Sequence, residues 1–327
     1  MMSFLLLASA PLSLGVEAQI DAHDAIVVRA DSGLSSESQF QAGSLAKYAC
    51  TLTVLKLAEE GHLSLDDRIG DLLPDYSGPD AQNILQRDLL ANRSGLPDDL
   101  LPAFRADPTI ARAHLSALEA SNRFAAGSID GAKEWSYDLG NWILVQAAIE
   151  QVTGASLESV MAEKLLVPAG LEHTRLSFGI PDLVNSPEPA APVRPLPPFL
   201  KCSGGLVSTP ADLLRLVDWA YSGGLAQESL AALHQVTTEE EGYTLGGRVR
   251  QVGGRMLSWQ TGSNGPYKTQ LVYDPATGEG WAAMTASNSA EHMAKLRSEW
   301  LERLGEQDRA SGVPLPRLRE NGGRGKD

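Results

Sequence analysis

The pattern of apolar and polar positions predicts a mostly helical middle to this chain. Residues 43–60, GSLAKYACTLTVLKLAEE, are apolar almost all round and contain no internal Gly or Pro. Such a segment predicts a helix buried at the centre of a domain. Further helices are predicted around residues 109–121 and 139–164, and another over residues 209–223, where a capping Thr precedes a Pro and apolar residues at helical spacing.

From Tyr243 onward the pattern changes to alternation, which predicts an antiparallel sheet. Four strands are expected in YTLGGRVRQV, RMLSWQTG, KTQLVYDP and GWAAMTASN, separated by Gly-rich turns. A last helix, AEHMAKLRSEWLERLG, should pack on that sheet. The proline-dense residues 185–200 predict an extended loop, with a linker between domains as the alternative.

These elements predict an α/β chain of the α+β, two-lobed kind with a site in the cleft between the lobes. The helical lobe is expected at about 43–237 and the sheet lobe at about 19–42 and 238–308, together one catalytic domain over 19–308. Residues 309–327 are rich in Gly, Pro and charge and are expected to be disordered.

The first 18 residues fit two interpretations. They carry a short apolar core and a small-residue exit at Ala18, as a secretory signal peptide would, but no Lys or Arg precedes that core. The alternative is the opening strand of the domain. A signal peptide would place the protein in the periplasm or outside the cell, and a strand would favour the cytoplasm.

Composition excludes several classes of function. Against 41 Asp and Glu, the 27 Lys and Arg leave a net charge of −14, which disfavours binding to nucleic acid. No apolar run is long enough for stable membrane insertion. The six His are scattered, so neither a metal site nor a cofactor is predicted. Whether the only two cysteines, Cys50 and Cys202, form a disulfide is left open.

Ser44 and Lys47 stand three residues apart at the start of the predicted central helix, so their side chains share one face. The helix N-terminus stabilises negative charge on the serine oxygen. Burial lowers the pKa of a lysine, which lets it act as a base. This Ser-x-x-Lys pattern is the only one in the chain and indicates a serine nucleophile.

The surrounding segment, FQAGSLAKYACTLTVLKLAEEGHLSLDDRIGDLLPDY, closely resembles the active-site helix of serine β-lactamase-related hydrolases. That family includes class C β-lactamases, DD-peptidases and family VIII esterases. Four more blocks resemble it in the same order, within residues 39–290: RDLLANRSGLPDD, YDLGNWILVQAAIEQVTGASLESVMAEKLLVPAGLEHT, CSGGLVSTPADLLRLVDWAYSGG and WQTGSNGPYKTQLVYDPATGEGW. The resemblance implies the β-lactamase/transpeptidase-like fold.

The resemblance also implies catalytic roles. Ser44 matches the acylated nucleophile and Lys47 its proton-accepting neighbour. Tyr137 matches the tyrosine of the family's Tyr-x-Asn element, whose phenol takes the serine proton and passes it to the leaving group.

One position of that element departs from the family. Leu139 stands where many relatives have asparagine, and family VIII esterases tolerate such a change. Binding of β-lactams and peptides commonly uses that amide. An alternative register places Asp138 or Asn141 in the polar role.

The family's third element, Lys-Thr-Gly or His-Thr-Gly on a strand of the cleft, is matched by Gln260, Thr261 and Gly262, which are expected to bind substrate. The glycine lets a substrate approach the strand closely. Because Gln260 is neutral, we expect weaker recognition of a substrate carboxylate.

Neighbouring residues complete the predicted site. The backbone N–H groups of Ser44 and Ser263 are expected to form the oxyanion hole. Trp259 is expected to line an acyl or alcohol pocket, with outward or core packing as the alternative. Lys268 is expected to be a solvated strand lysine, with a replacement charge at the rim as the less favoured interpretation.

The sequence therefore predicts a serine hydrolase that works through a Ser44 acyl-enzyme without a cofactor. Leu139 and Gln260 favour small esters over peptides and β-lactams, among the possible ester, amide and β-lactam substrates. The alternative is β-lactamase, D-amino-acid peptidase or penicillin-binding activity. A non-catalytic binding protein of the same fold is the alternative from another class.

Overall fold

The computed structural model describes residues 14–311. This part of the chain contains nine strands: β1 Gly15–Ile20, β2 Ile26–Ala30, β3 Phe40–Gly43, β4 Arg175–Leu176, β5 Leu206–Ser208, β6 Arg248–Val252, β7 Arg255–Asn264, β8 Tyr267–Asp274 and β9 Glu279–Thr285. Its α-helices are α1 Leu45–Glu59, α2 Ile69–Leu72, α3 Gln86–Leu90, α4 Leu100–Ala106, α5 Ala117–Phe124, α6 Leu139–Thr153, α7 Leu157–Met161, α8 Lys201–Gly204, α9 Pro210–Trp219, α10 Gln227–His234 and α11 Ala290–Ser311.

The main sheet has six antiparallel strands in the order β2-β1-β9-β8-β7-β6. Its last four strands are the meander that alternation predicted, and β1 joins it by pairing with β9. Alternate residues face opposite sides, so Leu271 packs towards α1 and α9, whereas Val272 packs in a second cluster with Met293 and Trp300 of α11. This arrangement of sheet and helices confirms the predicted fold class.

Helix α1 lies in the middle of the molecule. Every residue from Leu45 to Leu55 is buried, as its apolar pattern predicted. A small antiparallel sheet in the order β3-β5-β4 lies beside its N-terminus. A disulfide between Cys50 and Cys202 joins α1 to α8. The nucleophile helix is therefore held by packing on all sides and by one covalent link.

Two predicted helices are wrong in their extents, and local capping explains both. The segment predicted as a helix over 109–121 is a 3₁₀ helix at Pro108–Arg112 followed by α5, because Ser116 caps a new helix start with Glu119. The segment predicted over 139–164 divides into α6 and α7, because Gly154 ends α6 with a left-handed φ of 65°.

The ends of the predicted domain differ slightly from the structure. The expected lower bound, residue 19, falls inside β1, which begins at Gly15 in the segment given as a signal peptide or a first strand. Residues 1–13 of the segment assigned to a signal peptide or a strand, and residues 312–327 of the predicted tail, lie outside the described part. Cleavage of the N-terminus stays a prediction. Between residues 14 and 311, no helix is both long and apolar enough to cross a bilayer.

Candidate active site

Ser44 lies where the small sheet meets the central helix. Strand β3 ends at Gly43, whose φ of 57° turns the chain into α1, so that Ser44 becomes the residue that precedes the first turn of the helix. A side chain at Gly43 would place its Cβ 2.6 Å from the backbone N of Ser263. The half-buried serine therefore lies directly beside the end of β7.

The structure brings Lys47 and Tyr137 to the same point. Lys47 is only 1% exposed, and its Nζ donates a hydrogen bond to the carbonyl oxygen of Ser203 at 2.6 Å. The same ammonium lies 4.9 Å from the ring centroid of Tyr137. The polar groups of Ser44 and Lys47 lie close enough to the Tyr137 hydroxyl to lower its pKa. Three residues that the sequence predicted to act together are thus in mutual contact.

Burial and charge shift the acid–base properties of this pair. Burial lowers the pKa of Lys47, and the guanidinium of Arg248 lowers it further, although contact with Tyr137 acts in the opposite direction. Burial alone would raise the pKa of Tyr137. The charge of Lys47, hydrogen bonds from Ser44 and Lys47, and the charge of Arg248 together bring that pKa below its ordinary value. The pair can therefore exchange a proton with the Ser44 hydroxyl.

Gln260 and Gly262 lie on β7, on the face that meets α1 and β3. A Cβ on Gly262 would overlap the carbonyl oxygen of Ala42, so only glycine permits this close approach. Gln260 is 6% exposed, and its carboxamide contacts Gly247 and the hydroxyl of Ser258. The third element thus lies on a strand, as the resemblance implied.

The backbone N–H of Ser263 is aimed away from its partner strand. Asn264 and Tyr267 flank a two-residue turn that starts with Gly265 at φ 55°, so this pair exchanges the last hydrogen bonds of the β7–β8 hairpin. The next pair, Ser263 with Lys268, is then a non-hydrogen-bonded pair. The N–H of Ser263 therefore points away from β8, to the side where Gly43 lies, whereas that of Lys268 points towards β9. This geometry suits the predicted oxyanion hole.

The side chains of Trp259 and Thr261 lie on the opposite face of β7 from Gln260 and Gly262. Trp259 is 6% exposed and packs with Trp300 of α11. The guanidinium groups of Arg250 and Arg297 lie 4.9 and 4.4 Å from its ring. The expectation that Trp259 lines a substrate pocket is therefore wrong, because strand parity turns its side chain away from Ser44. The side chain of Thr261 is exposed on that same face, so its backbone is the part nearer the cleft.

Asp138 and Asn141, the alternatives to Leu139 for the polar role, are both buried. Leu139 is the first residue of α6 and packs partly against the core. Asp138 is 1% exposed and accepts a hydrogen bond from the Gly140 N–H at 2.8 Å, which caps α6. Asn141 is 2% exposed and donates to Asn92. Neither polar group is exposed to a substrate, so each acts on the site only through its neighbours.

Lys268 lies at the rim beside the predicted oxyanion hole. Its Nζ donates hydrogen bonds of 2.7 Å to the Ser263 hydroxyl and to the Gly265 carbonyl oxygen. Burial lowers its pKa below the ordinary lysine value. The lysine therefore braces the turn that carries Ser263, and both of these hydrogen bonds are exposed to solvent at the rim.

Sequence reasoning missed Asn92, Ser203 and Arg248. The Asn92 amide donates to the Tyr243 hydroxyl at 2.6 Å and accepts from the Trp142 indole at 3.0 Å, which ties the wall of the cleft together. Its left-handed φ of 54° suits asparagine but carried no recognisable signal. Within residues 14–311, no three His, Cys, Asp or Glu are grouped so as to hold a metal ion.

Comparison with known sequences identifies the family of the chain. Residues 19–304 match the sequence profile of the family described as Beta-lactamase. Penicillin-binding protein 4 of Amycolatopsis lactamdurans is 26% identical over 215 residues, which cover 61% of this chain and 55% of that protein. The chain thus spans about half the length of this curated relative.

Solved structures agree on the fold. A penicillin-binding protein from Bacillus halodurans superposes with a TM-score of 0.74 and 16% identity, covering 86% of this chain and 94% of that one. The D-amino acid amidase from Ochrobactrum anthropi SV3, in complex with L-phenylalanine amide, superposes with a TM-score of 0.71 and 17% identity, covering 91% and 94%. At this level of identity the superpositions establish the fold.

Proposed function

Because the chain belongs to the β-lactamase family, we propose that it is a serine amidohydrolase that cleaves amides or peptides of D-amino acids through an acyl-enzyme on Ser44. The observation that carries this proposal is the mutual contact of Ser44, Lys47 and Tyr137. The named relatives, a penicillin-binding protein and a D-amino acid amidase, support the substrate class.

In the proposed acylation step, the Tyr137 oxygen accepts the proton of the Ser44 hydroxyl while the serine oxygen attacks the substrate carbonyl. The carbonyl oxygen gains a negative charge, which the N–H groups of Ser44 and Ser263 stabilise. The C–N bond then breaks, and Tyr137 returns the proton to the leaving nitrogen. Tyr137 accepts the Ser44 proton as the phenolate, which Lys47 stabilises through its charge and a hydrogen bond.

Deacylation reverses the roles with water as the nucleophile. Tyr137, assisted by Lys47, takes a proton from the water as its oxygen attacks the acyl carbon. The ester bond to Ser44 breaks, and the serine oxygen recovers its proton. Since the same pair serves both steps, the mechanism needs no separate carboxylate base.

The preference for esters that Leu139 and Gln260 suggested finds no support among the named relatives, which favour the alternative reading of amide, peptide or penicillin substrates. The physical basis of that preference was the loss of polarity at two positions. An ester can form the same kind of acyl-enzyme on Ser44, so the test includes an ester as a competing substrate class.

The experiment compares D-phenylalanine amide, L-phenylalanine amide, a short-chain chromogenic ester and a chromogenic cephalosporin. We expect the D-amide to be cleaved with the highest kcat/KM, and Ser44→Ala to lose at least 1,000-fold, on the order reported for removal of a nucleophile. Mass spectrometry of the trapped protein should find the acyl group on Ser44.

Ser121→Ala is the matched control, since Ser121 is equally a helix serine but is fully buried on α5 with its hydroxyl bonded to Ala117. It should keep wild-type activity. Turnover of the ester alone would replace the proposal with an esterase. Absence of turnover and of acylation with a folded protein would indicate a non-catalytic binding protein.

A further inference from the structure

The disulfide lies beside the hydrogen bond that holds the Lys47 ammonium. Cys50 follows Lys47 by three residues on α1, so the two side chains leave the same face of the helix about one turn apart. Cys202 directly precedes Ser203, whose carbonyl oxygen accepts the bond from Lys47 Nζ at 2.6 Å. A covalent link and a hydrogen bond therefore join α1 to α8 at neighbouring positions.

Helix α8 cannot fix the Ser203 carbonyl by itself. It has four residues, Lys201–Gly204, and an isolated helix this short is not stable in water. Its first residue, Lys201, pairs with Glu158 of α7 at 2.6 Å, which attaches that end to another helix. The disulfide attaches the middle of α8 to the helix that carries Lys47. The position of the Ser203 carbonyl thus depends on links to other elements, and the disulfide is the covalent one.

The position of this carbonyl affects the charge of the acid–base pair. Burial lowers the pKa of Lys47, and the hydrogen bond to Ser203 works against that effect because it favours the charged ammonium. Burial raises the pKa of Tyr137, and the charge of Lys47 is the strongest of the effects that lower it. A carbonyl held against the ammonium therefore stabilises the phenolate through the lysine.

We infer that the disulfide is a positioning device for the acid–base pair, because it holds the Ser203 carbonyl against the Lys47 ammonium. Tyr137 is thereby kept able to accept the proton of Ser44. The inference rests on the proposed function, in which Tyr137 takes that proton. In the reduced chain, which carries two thiols instead, the carbonyl can move away from the ammonium. The lysine then loses a partner that favours its charge, and the phenolate loses the charge that stabilises it.

The titration of Tyr137 can be followed separately from that of the other tyrosines. The chain has seven tyrosines, and all of them lie in the described part. Burial raises the pKa of the six others: Tyr48, Tyr76, Tyr221, Tyr243, Tyr267 and Tyr273. The pKa of Tyr137 alone is lowered. The phenolate absorbance that appears first as the pH rises therefore reports Tyr137, and Tyr137→Phe should lack it.

The experiment compares the oxidised wild type with two proteins that lack the disulfide. One is the wild type unfolded and refolded in a phosphine reductant, and the other is Cys50→Ala with Cys202→Ala. Phenolate absorbance and the rate at which a fluorophosphonate labels Ser44 are both measured as a function of pH.

We expect the Tyr137 transition of both disulfide-free proteins to lie about 0.5 pH or more above that of the oxidised wild type, because a hydrogen bond to a charged group is worth at least that much. Labelling of Ser44 at neutral pH should slow by about 3-fold or more, and its pH profile should move with the Tyr137 transition. The reduced wild type keeps every native side chain, so it provides the same test if the double variant does not fold.

Leu296→Ala is the matched control for lost stability. Leu296 is buried on α11 in the second core cluster, across the main sheet from α1, so its truncation lowers the urea midpoint without a change at α8. Its Tyr137 titration and its labelling profile should match those of the wild type.

An unchanged Tyr137 transition in the disulfide-free proteins, or an equal shift in Leu296→Ala, would overturn the inference and leave the disulfide a stabilising link only. Neither readout requires turnover of a substrate. If the oxidised protein does not label at Ser44 and cleaves none of the proposed substrates, the proposed function fails, whereas the titration still decides whether the disulfide controls Tyr137.

Discussion

At the reacting centre, burial and charge act against each other on Tyr137. Burial favours the neutral phenol, but the Lys47 ammonium and the two hydrogen bonds to the phenol oxygen outweigh it, and the pKa falls below the ordinary value. A lysine that is 1% exposed is costly unless its ammonium is bonded, and the Ser203 carbonyl provides that bond.

Tyr137→Phe removes the hydroxyl and keeps the ring. We expect kcat/KM to fall by about 100-fold or more, which is the usual contribution of a positioned acid–base group. Steady-state kinetics on the best substrate checks this. Tyr221→Phe, whose hydroxyl bonds His234 at 2.8 Å, should retain activity. Equal activity of both variants would remove Tyr137 from the mechanism.

Asp138 links stability to pH. Burial, followed by the carboxylates of Asp98 and Asp99, raises its pKa to about 7 despite the bond from Gly140. In the unfolded chain an aspartate titrates near 3.9. Between about pH 4 and 7 the folded state therefore holds the extra proton, and the free energy of unfolding falls as pH rises through that window.

Asp138→Asn keeps the cap of α6 but cannot ionise. Above pH 7 we expect it to be more stable than the wild type by about 2–4 kcal/mol, with a flatter dependence between pH 4 and 7. Urea unfolding at four pH values measures this. Asp107→Asn, at an exposed helix cap, is the control. Parallel pH curves for wild type and Asp138→Asn would contradict the assignment.

Among elements, the contact between β7 and β3 shapes the site most directly. Gly262 lies against the Ala42 carbonyl, and a methyl group there would force β7 away from Ser44. We expect Gly262→Ala to lose at least 10-fold in kcat/KM and to unfold at lower urea. Gly131→Ala, where nothing lies within 4 Å of the added Cβ, should behave as the wild type. Full activity of Gly262→Ala would mean that the cleft tolerates a wider gap.

The disulfide ties two elements that hold Lys47. Cys50 lies one turn after Lys47 on α1, and Cys202 adjoins the Ser203 carbonyl that accepts its ammonium. The link spans 152 residues, so the chain-entropy model gives a cost of about 5 kcal/mol of stability for its loss. We expect Cys50→Ala with Cys202→Ala to unfold at lower urea. A reductant should lower the urea midpoint of the wild type and leave that of the double variant unchanged. A reduced wild type with an unchanged midpoint would contradict this.

At the scale of the whole molecule, the six-stranded sheet depends on its N-terminal strand. Val16 and Ala18 of β1 are fully buried between β2 and β9. A chain without residues 1–18 would lose most of β1, so we expect a marked fall in Tm and in soluble yield. A chain without residues 1–13 keeps β1 whole and serves as the comparison. Equal Tm values would favour the signal-peptide interpretation.

The order of the main helices and strands along the chain could be predicted from the sequence pattern. Several of their boundaries could not. The buried helix, the four-stranded meander and the final helix follow from periodicity that each segment carries by itself. The splits at Ser116 and Gly154 depend on single capping residues inside apolar runs, which periodicity averages away. The joining of β1 to β9 depends on residues 260 to 270 positions apart.

The short spacing between Ser44 and Lys47 identified both residues, because a nucleophile helix is a local motif. Tyr137 was added by the family resemblance. Long-range packing settled the rest. It turned Trp259 away from the cleft through strand parity and supplied the Ser203 carbonyl to Lys47. It also placed Arg248 beside Tyr137. These features depend on which distant segments meet, and side-chain direction at a contact is not encoded in either segment alone.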